Sequence, residues 1–337
     1  MKTAELFQKR EEEMLSAYAF PSSKTQGRLK KSDSCPYRTD FQRDRDRIIH
    51  CKSFRRLMHK TQVFFAPEDE QFRTRMTHTL EVTQIARSIA RALRLNEDLT
   101  EAIAMGHDLG HTPFGHQGEE AMRECYSPDF AHYKQSLRVV DFLEHDGEGL
   151  NLTYEVRDGI VNHTGKHMAC TLEGVVVKYA DRIAYVNHDL DDAFFAGILS
   201  KNDLPKHLLE VFGQSYSDRV DAMVGAVIEA SMDKDAIGMT AEVGEAMMEM
   251  RQFLTDHVYH NSPAKTEEKR AHELLCRLFV HFEANPQEMP DFYYKHCETE
   301  GVKRMVCDYI AGMTDRYAID TYRRLFIPQV WKGRGHD

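Results

Sequence analysis

Two histidines and two aspartates fall on the apolar faces of three predicted helices, and this placement constrains the fold more than any other feature. His78 is in helical register with Val82 and with further aliphatic residues, since residues three and four apart share one side of a helix. His107 ends the next apolar stripe and is followed by Asp108, and Asp181 lies on the stripe of a later helix. A buried carboxylate is costly unless it is paired or bound to a metal. The three helices are therefore expected to enclose a polar centre.

Together these four side chains form a natural cage for a divalent metal ion. Imidazole and carboxylate ligands suit Mn, Fe, Co, Ni or Zn better than Ca, and four protein ligands leave two octahedral positions open for water and substrate. Taken singly, an inward-facing histidine is more commonly a core residue bonded to the backbone, and an adjacent His-Asp pair is common by chance. The metal-site hypothesis depends on the joint pattern.

Helical periodicity extends along most of the 337 residues, and strict alternation is rare. We therefore predict an all-α fold, in which even the β-like run 175–177 is helical. The predicted helices are 1–20, 41–65, 75–94, 97–109, 116–125, 132–145, 152–162 and 171–197, followed by further helices broken at Pro263, Pro286 and Pro290. Three regions are predicted: an N-terminal helix and arm (1–35), a core (36–200), and C-terminal helices packed on that core (201–337).

Composition narrows the functional classes. The net charge of −10 disfavours a general nucleic-acid surface, so DNA binding is not expected, although a local patch can differ from the average. Seven cysteines without a CxxC pair indicate reduced thiols rather than a disulfide framework. The N-terminus has no apolar signal region and no run approaches the roughly 20 apolar residues of a membrane span. A cytoplasmic location without membrane attachment is expected.

Three motifs carry a family resemblance. They are Met-Thr-His78-Thr-Leu-Glu-Val, Gly-His107-Asp108-Leu-Gly-His111-Thr-Pro-Phe-Gly-His116, and Lys-Tyr-Ala-Asp181-Arg-Ile-Ala-Tyr-Val-Asn-His-Asp. This H…HD…D pattern resembles the HD superfamily and, more narrowly, the deoxyguanosine triphosphate triphosphohydrolase-like proteins, relatives of the SAMHD dNTP hydrolases. The stretches 37–47, 54–63, 149–153 and 313–317 agree with it as well. The resemblance covers residues 36–200 densely and the C-terminal third loosely.

The resemblance implies an HD-domain helical bundle with additional C-terminal helices, acting on deoxynucleoside triphosphates. His78, His107, Asp108 and Asp181 would hold one divalent ion (Mn, Mg, Fe, Co or Ni), with additional Mg accompanying the nucleotide. Cleavage would fall between the α-phosphorus and the 5′ oxygen of dGTP or of several dNTPs, giving a deoxynucleoside and inorganic tripolyphosphate. A homo-oligomer, tetramer or hexamer, and a nucleotide activator are further implications.

The triphosphate needs a local positive counterweight in an acidic protein. Residues 38–60 contain eight Lys or Arg against three Asp, and the simple interpretation of most of these is a solvated basic surface. Arg75 differs, because it precedes His78 by one helical turn and can face the same cavity. A guanidinium binds two phosphate oxygens at once, and the resemblance also assigns Arg75 to the phosphates.

Histidines after the HD pair are the acid–base candidates. Glu119 follows His116 by three residues on one helical face, so we expect it to hydrogen-bond the His116 imidazole and fix its tautomer. The resemblance makes His116, assisted by Glu119, the leading catalyst, with His132 close by. A structural role for His116 is the alternative. His111 either contacts phosphate or braces the turn, and Tyr133 replaces the Asn that follows His132 in many relatives.

Recognition of the sugar is implied for three residues. Tyr185 and Asp189 lie one and two turns beyond Asp181, on the same face. By resemblance, Tyr185 packs on the deoxyribose, Asp189 accepts from the 3′-hydroxyl, and Gln62 also touches the sugar. An aromatic ring packed under C2′ would exclude ribose. On spacing alone, Tyr185 is nearly as well explained as a core residue.

Two other functions fit the same pattern. An HD-type phosphodiesterase or nucleotidase acting on another phosphate ester would use the same metal cage. A non-catalytic nucleotide-sensing module would keep the fold but not the chemistry. The intact set of four ligands argues against the second alternative.

Overall fold

The computed structural model describes residues 3–62, 72–259 and 265–328. These residues form seventeen α-helices with short 3₁₀ and π turns, and the extended pairings among them are isolated bridges such as Thr61–Thr74. The predicted all-α class is confirmed. The helices are α1 Thr3–Met14, α2 Asp40–His50, α3 Lys52–Arg56, α4 Arg75–Ala92, α5 Glu97–Gly106, α6 Gly115–Cys125, α7 His132–Arg138, α8 Tyr154–Asn162, α9 Leu172–Phe195, α10 Lys206–Phe212, α11 Tyr216–Ser231, α12 Ala241–Leu254, α13 Lys265–Ala284, α14 Asp291–Lys295, α15 Cys297–Glu300, α16 Val302–Ala311 and α17 Asp315–Phe326.

The single helix predicted over 41–65 is wrong, because the chain breaks at Cys51. Its backbone is extended there (φ −74°, ψ 160°), and its sulfur accepts from the amide of Phe54 at 3.3 Å. The Glu144 carboxylate accepts from the amides of Lys52 (3.2 Å) and Ser53 (2.7 Å). A distant carboxylate thus caps a new helix, which local periodicity could not reveal.

Other predicted limits need smaller corrections. The first helix ends at Met14 rather than at residue 20, and the helix predicted over 132–145 is α7 continued by a π turn, Val139–Leu143. Pro286 begins a 3₁₀ turn and Pro290 precedes α14. Pro263 lies outside the described residues. The run 175–177 is helical, as predicted.

Two apolar clusters form the interior. The first draws buried residues from α2, α4, α5, α8 and α9, and α10 to α12 add residues to it, including Phe212, Met223 and Met250. The second joins α6 to α13 and α16 through residues such as Met122 and Phe279. The loop between α5 and α6 therefore runs from one cluster to the other.

The side chains of Lys60 and Asp315 hold the loop between α5 and α6 in place. The Lys60 ammonium is buried and donates to the carbonyls of His111 and Ala311, the latter at 2.8 Å. Burial lowers the pKa of Lys60 to about 7. The Asp315 carboxylate accepts from the amide of Phe114 at 3.0 Å, and Phe114 has a left-handed backbone (φ 61°) just before α6. The C-terminal helices thus help to set the path of the loop.

Gly110 permits the closest approach in this region. A Cβ at Gly110 would lie 2.1 Å from the backbone nitrogen of Ser136 and 2.7 Å from the carbonyl oxygen of His132. We expect Gly110→Ala to displace α7 and to lower the free energy of unfolding by about 3 kcal/mol, as overpacking does. Denaturant unfolding measures this.

Gly225→Ala is the matched control. Gly225 is exposed within α11, and a Cβ there would meet no atom within 4 Å. It should raise the free energy of unfolding by about 1 kcal/mol through helix propensity. Equal effects of the two substitutions would contradict the packing argument.

Candidate active site

The four predicted ligands converge on one point between α4, α5 and α9. Nε2 of His78 lies 3.3 Å from Nε2 of His107 and 3.2 Å from Oδ1 of Asp181. Asp108 oxygens lie 4.0 Å from the His78 nitrogen and 3.8 Å from the His107 nitrogen. Ligand atoms bound to one ion at about 2.1 Å lie roughly 3 to 4 Å apart, so the spacing fits a single divalent cation.

Local structure orients the two histidines of this set. His107 follows the last residue of α5, and its Nδ1–H donates to the Ala104 carbonyl at 2.6 Å. That bond leaves the Nε2 lone pair for a metal. His78 lies in the first turn of α4, whose amino end Thr74 caps. Two lone pairs 3.3 Å apart repel each other, and a cation between them removes that repulsion.

The protonation states suit a metal ligand set at neutral pH. Burial lowers the pKa of His107, so the ring is neutral. Burial would raise the pKa values of both aspartates, but Arg75 and the imidazoles hold the pKa of Asp108 well below its usual range, and the imidazoles alone do the same for Asp181. Neutral imidazoles and ionised carboxylates are the forms that bind metals.

His188 orients His78 and was not predicted as a functional residue. Nδ1 of His78 lies 2.9 Å from Nε2 of His188, and Nδ1 of His188 lies 2.7 Å from Oδ1 of Asp189. If Nε2 of His78 faces the metal, its Nδ1–H donates to His188. His188 lies seven residues after Asp181 and therefore on the same face of α9, but the sequence does not show which helix that face meets.

The ligands open into a cavity of about 570 Å³, within the usual range of small-molecule sites. Ten of the twelve predicted site residues line it, and His107 and Glu119 lie behind its wall. The ten are Gln62, Arg75, His78, Asp108, His111, His116, His132, Asp181, Tyr185 and Asp189.

Glu119 binds His132, so the predicted hydrogen bond from Glu119 to His116 is wrong. Its carboxylate accepts from Nδ1 and from the amide of His132, both at 3.2 Å, and from Arg123 at 2.7 Å. The loop before α7 brings His132 over α6, which helical spacing within α6 cannot show. In the described part of the chain, no hydrogen bond joins Glu119 to His116.

Both ring nitrogens of His132 have polar partners, Glu119 on one side and His163 on the other. His163 donates its Nδ1–H to the Ile160 carbonyl at 2.7 Å, and burial lowers the pKa of His163 to about 3. Its Nε2 is therefore an unprotonated acceptor, 3.3 Å from Nε2 of His132. Nδ1 of His132 donates to Glu119, so a proton on Nε2 of His132 would make that contact a hydrogen bond.

His111 and His116 differ in their surroundings. His111 is buried and stacks on His132, with ring centroids 4.6 Å apart. His116 is exposed to the cavity, yet the surrounding protein lowers its pKa and the Arg75 charge lowers it further. Neutral His116 can accept a proton, and His111 borders the same cavity.

The residues predicted to bind substrate line the rest of the cavity wall. The Arg75 guanidinium is buried, with Nη1 2.8 Å from Oδ2 of Asp108 and Nη2 3.2 Å from the Gln62 carbonyl. Among the described residues, buried Oε1 of Gln62 has no hydrogen-bond partner, an arrangement that a bound ligand can satisfy. Burial raises the pKa of the Tyr185 phenol to about 12.

Several lining residues were not predicted. They are His163, Thr164, Gly165, Arg182, Arg251 and Thr255. Arg182 directly follows Asp181 in the third motif, and this position could have identified it as a site residue. Arg251 comes from α12, in the part of the chain that the resemblance covers only loosely, and no local pattern marks it.

Comparison with known proteins agrees with this geometry. Residues 75–186 match the HD domain family and residues 237–324 the phosphohydrolase-associated domain. A deoxyguanosinetriphosphate triphosphohydrolase-like protein of Caldanaerobacter subterraneus is 53% identical over 98% of both chains. A protein of the same name from Clostridium perfringens is 44% identical to this chain, over 98% of this chain and 99% of the relative. This chain belongs to the deoxyguanosinetriphosphate triphosphohydrolase-like proteins.

A solved structure shares the fold of this HD-domain phosphohydrolase. A phosphohydrolase from Bacteroides thetaiotaomicron matches with a TM-score of 0.54 and 16% identity, over 83% of this chain and 67% of that one. HD domains bind divalent metals, and the buried His78, His107 and Asp108 cluster can hold one. No helix among the described residues is long and apolar enough to cross a membrane.

The role of His188 in this HD-domain protein can be tested by substitution. His188→Ala should weaken Mn²⁺ binding by roughly 10- to 100-fold, as expected when the partner of a ligating histidine is removed. Calorimetric titration of the metal-free protein measures the affinity. His207→Ala is the control, because His207 is exposed and pairs with Glu249. Unchanged affinity in His188→Ala would refute the orienting role.

Glu119 should make stability pH-dependent. Burial would raise its pKa from the ordinary 4.5, but the hydrogen bond and charge of His132 lower it to about 2. The stabilisation is therefore complete above pH 4.5 and is lost as the pH falls towards 2. Relative to Glu119→Gln, we expect the wild type to lose about 3 kcal/mol of stability over this interval.

Urea unfolding between pH 5 and 2 measures the difference. Exposed Glu229 in α11 supplies the matched control, Glu229→Gln. A Glu119→Gln curve parallel to the wild type would contradict the assignment.

Proposed function

We propose that this protein hydrolyses deoxynucleoside triphosphates, dGTP or several dNTPs, to the deoxynucleoside and inorganic tripolyphosphate. One observation carries the proposal: three of the four convergent ligands, His78, Asp108 and Asp181, border the same cavity as His132 and His163. Its wall also holds arginines suited to phosphate and an aromatic–carboxylate pair suited to a sugar. The family names of the relatives agree with this substrate class.

His78, His107, Asp108 and Asp181 would hold one divalent ion, Mn, Mg, Fe, Co or Ni, with additional Mg on the nucleotide. Such an ion polarises a phosphoryl oxygen and lowers the pKa of bound water. The fit of the residues rests on the spacing of their ligand atoms and on the unpartnered Oε1 of Gln62 in the same cavity.

The phosphates would bind along the cationic part of the wall. Arg75, Arg182 and Arg251 all line the cavity, and their guanidinium groups offset the roughly four negative charges of a triphosphate. Arg75 is paired with Asp108, so the Asp108 carboxylate would be shared between the metal and the guanidinium, which also faces the phosphates. His111, whose buried Nδ1 has no partner in the described residues, is placed to contact a phosphate oxygen.

Proton transfer would be divided between two histidines. His132, which lies between Glu119 and His163, would donate a proton to the departing 5′ oxygen when both of its nitrogens are protonated. His116, neutral at physiological pH, would accept a proton from the attacking water. We therefore assign the general acid to His132 and retain His116 as the base, a division that the Glu119 contact favours.

Sugar recognition would fall to Tyr185, Asp189 and Gln62. All three line the cavity, and Tyr185 lies one turn from Asp181 on α9. A phenol that stays neutral packs on the deoxyribose, and a carboxylate accepts from its 3′-hydroxyl. A 2′-hydroxyl would meet the ring, which favours deoxyribose. We further propose a cytoplasmic homo-oligomer, tetramer or hexamer, that a second nucleotide can activate.

Product analysis tests the reaction directly. With metal-free protein, a panel of dNTPs and Mn²⁺, we expect nucleoside and tripolyphosphate in equal amounts. Pyrophosphate with nucleotide, or turnover only of other phosphate esters, would replace this proposal by the HD phosphodiesterase or nucleotidase alternative. Absence of any turnover would favour the nucleotide-sensing alternative.

Asp181→Asn tests the metal requirement. Losing one anionic ligand should reduce turnover at least about 100-fold and weaken metal binding. Asp221→Asn, a change at an exposed position of α11, is the matched control and should keep wild-type rates. Full activity of Asp181→Asn would overturn the assignment of this carboxylate.

A further inference from the structure

We propose a second metal site, for a thiophilic divalent cation such as Zn²⁺, at the far end of α6. The site consists of Glu124, Cys125, His272 and Cys276, here named the α6–α13 cluster. It lies at the C-terminal end of the helix that begins beside His116, about 14 Å along the axis at 1.5 Å per residue. It is distinct from the ligand set of the cavity.

Ligand atoms from three residues of the cluster lie within 4.8 Å of one another. Nε2 of His272 is 3.2 Å from Oε2 of Glu124, and Sγ of Cys276 is 4.0 Å from the same nitrogen. Around a tetrahedral zinc ion, with bonds of about 2.0 to 2.3 Å, ligand atoms lie roughly 3.3 to 3.8 Å apart. Side-chain shifts of about 1 Å or less would bring these atoms to bonding positions.

Cys125 supplies the fourth donor. Cys125 and Cys276 both pack against the second apolar cluster, and their side chains contact each other. Cys125 follows Glu124 directly, while His272 and Cys276 are one turn apart on α13. Two pairs of donors thus face each other across the two helices.

The scaffold beneath the cluster is rigid. Ala121 and Met122 of α6 and Ala271 and Leu275 of α13 all belong to the second apolar cluster, with almost no exposure. Each of these residues lies within four positions of a proposed ligand. Packed helices hold a site more accurately than loops do, so the donor positions are fixed by the core.

The donor chemistry selects the cation. Two thiols with an imidazole and a carboxylate favour Zn²⁺ over Mg²⁺ or Ca²⁺, which prefer all-oxygen sites. Each cysteine would release its proton to solvent on binding, leaving a thiolate. The ion would join the helix that carries His116 and Glu119 to α13, and so act as a clamp between them.

Cobalt substitution gives a signal specific to this cluster. Thiolate bound to Co²⁺ produces a near-ultraviolet charge-transfer band, and the cavity ligands contain no sulfur. We expect the reduced, metal-stripped full-length protein to develop this band as Co²⁺ is added, and to lose it when Zn²⁺ follows. Metal analysis after Zn²⁺ loading should find one ion per chain more than the cavity alone holds.

Variants assign the donors. Cys276→Ser and His272→Gln should each lose the extra ion and most of the band, and Cys125→Ser should keep about half of it. Cys170→Ser is the matched control, because Cys170 is exposed and lies outside the cluster; its band should equal that of the wild type. Far-ultraviolet circular dichroism checks that each variant is folded.

Three results would overturn the proposal. One is wild-type protein without the band, and another is a band that survives in both Cys276→Ser and His272→Gln. The third is a Cys125–Cys276 disulfide that forms under reducing, metal-containing conditions, since it would leave no thiolate to bind. None of these results depends on hydrolysis of a nucleotide.

Discussion

The enclosure of four ionisable ligands by apolar helices is the constraint on which the rest of the structure depends. Two imidazole nitrogens 3.3 Å apart and two carboxylates beside them are unfavourable in a protein interior unless a cation joins them. Their neighbours on the same helices, such as Val82 and Ile103, are fully buried. Apolar packing therefore supplies the stability that holds the polar centre together.

The arrangement around the centre follows from that constraint. Each histidine proposed to bind the metal needs a second partner for its other ring nitrogen, and the fold provides a backbone carbonyl for His107 and a histidine for His78. His132 likewise has a partner at each ring nitrogen, Glu119 at Nδ1 and His163 at Nε2. Chains of hydrogen bonds thus set the tautomers, and the tautomers determine which nitrogen faces the metal or the cavity.

Sequence reasoning found those features that have a periodic signature. The buried stripes of α4, α5 and α9 predicted the four converging residues, and the family resemblance supplied others, such as Gln62 and His132, that line the same cavity. It failed for contacts between residues of different helices, because these depend on how the helices pack. Glu119 bonds His132 from another helix, the break at Cys51 is capped by Glu144, and Arg251 reaches the cavity from α12. None of these contacts has a local pattern, because each partner lies more than ten residues away.

The position of His132 shows why the HD region is accompanied by the C-terminal helices. Asp308 of α16 is buried and accepts from Gln135 at 2.7 Å and from Arg138 at 2.8 Å, both on the helix that begins at His132. Asp315 holds the amide of Phe114 in the loop after the HD pair. The same C-terminal region therefore braces the loop and the helix from which the proposed general acid projects. A fragment ending after α9 would keep all four proposed metal ligands but lose both carboxylates, Asp308 and Asp315, that support the loop and the helix of the proposed general acid.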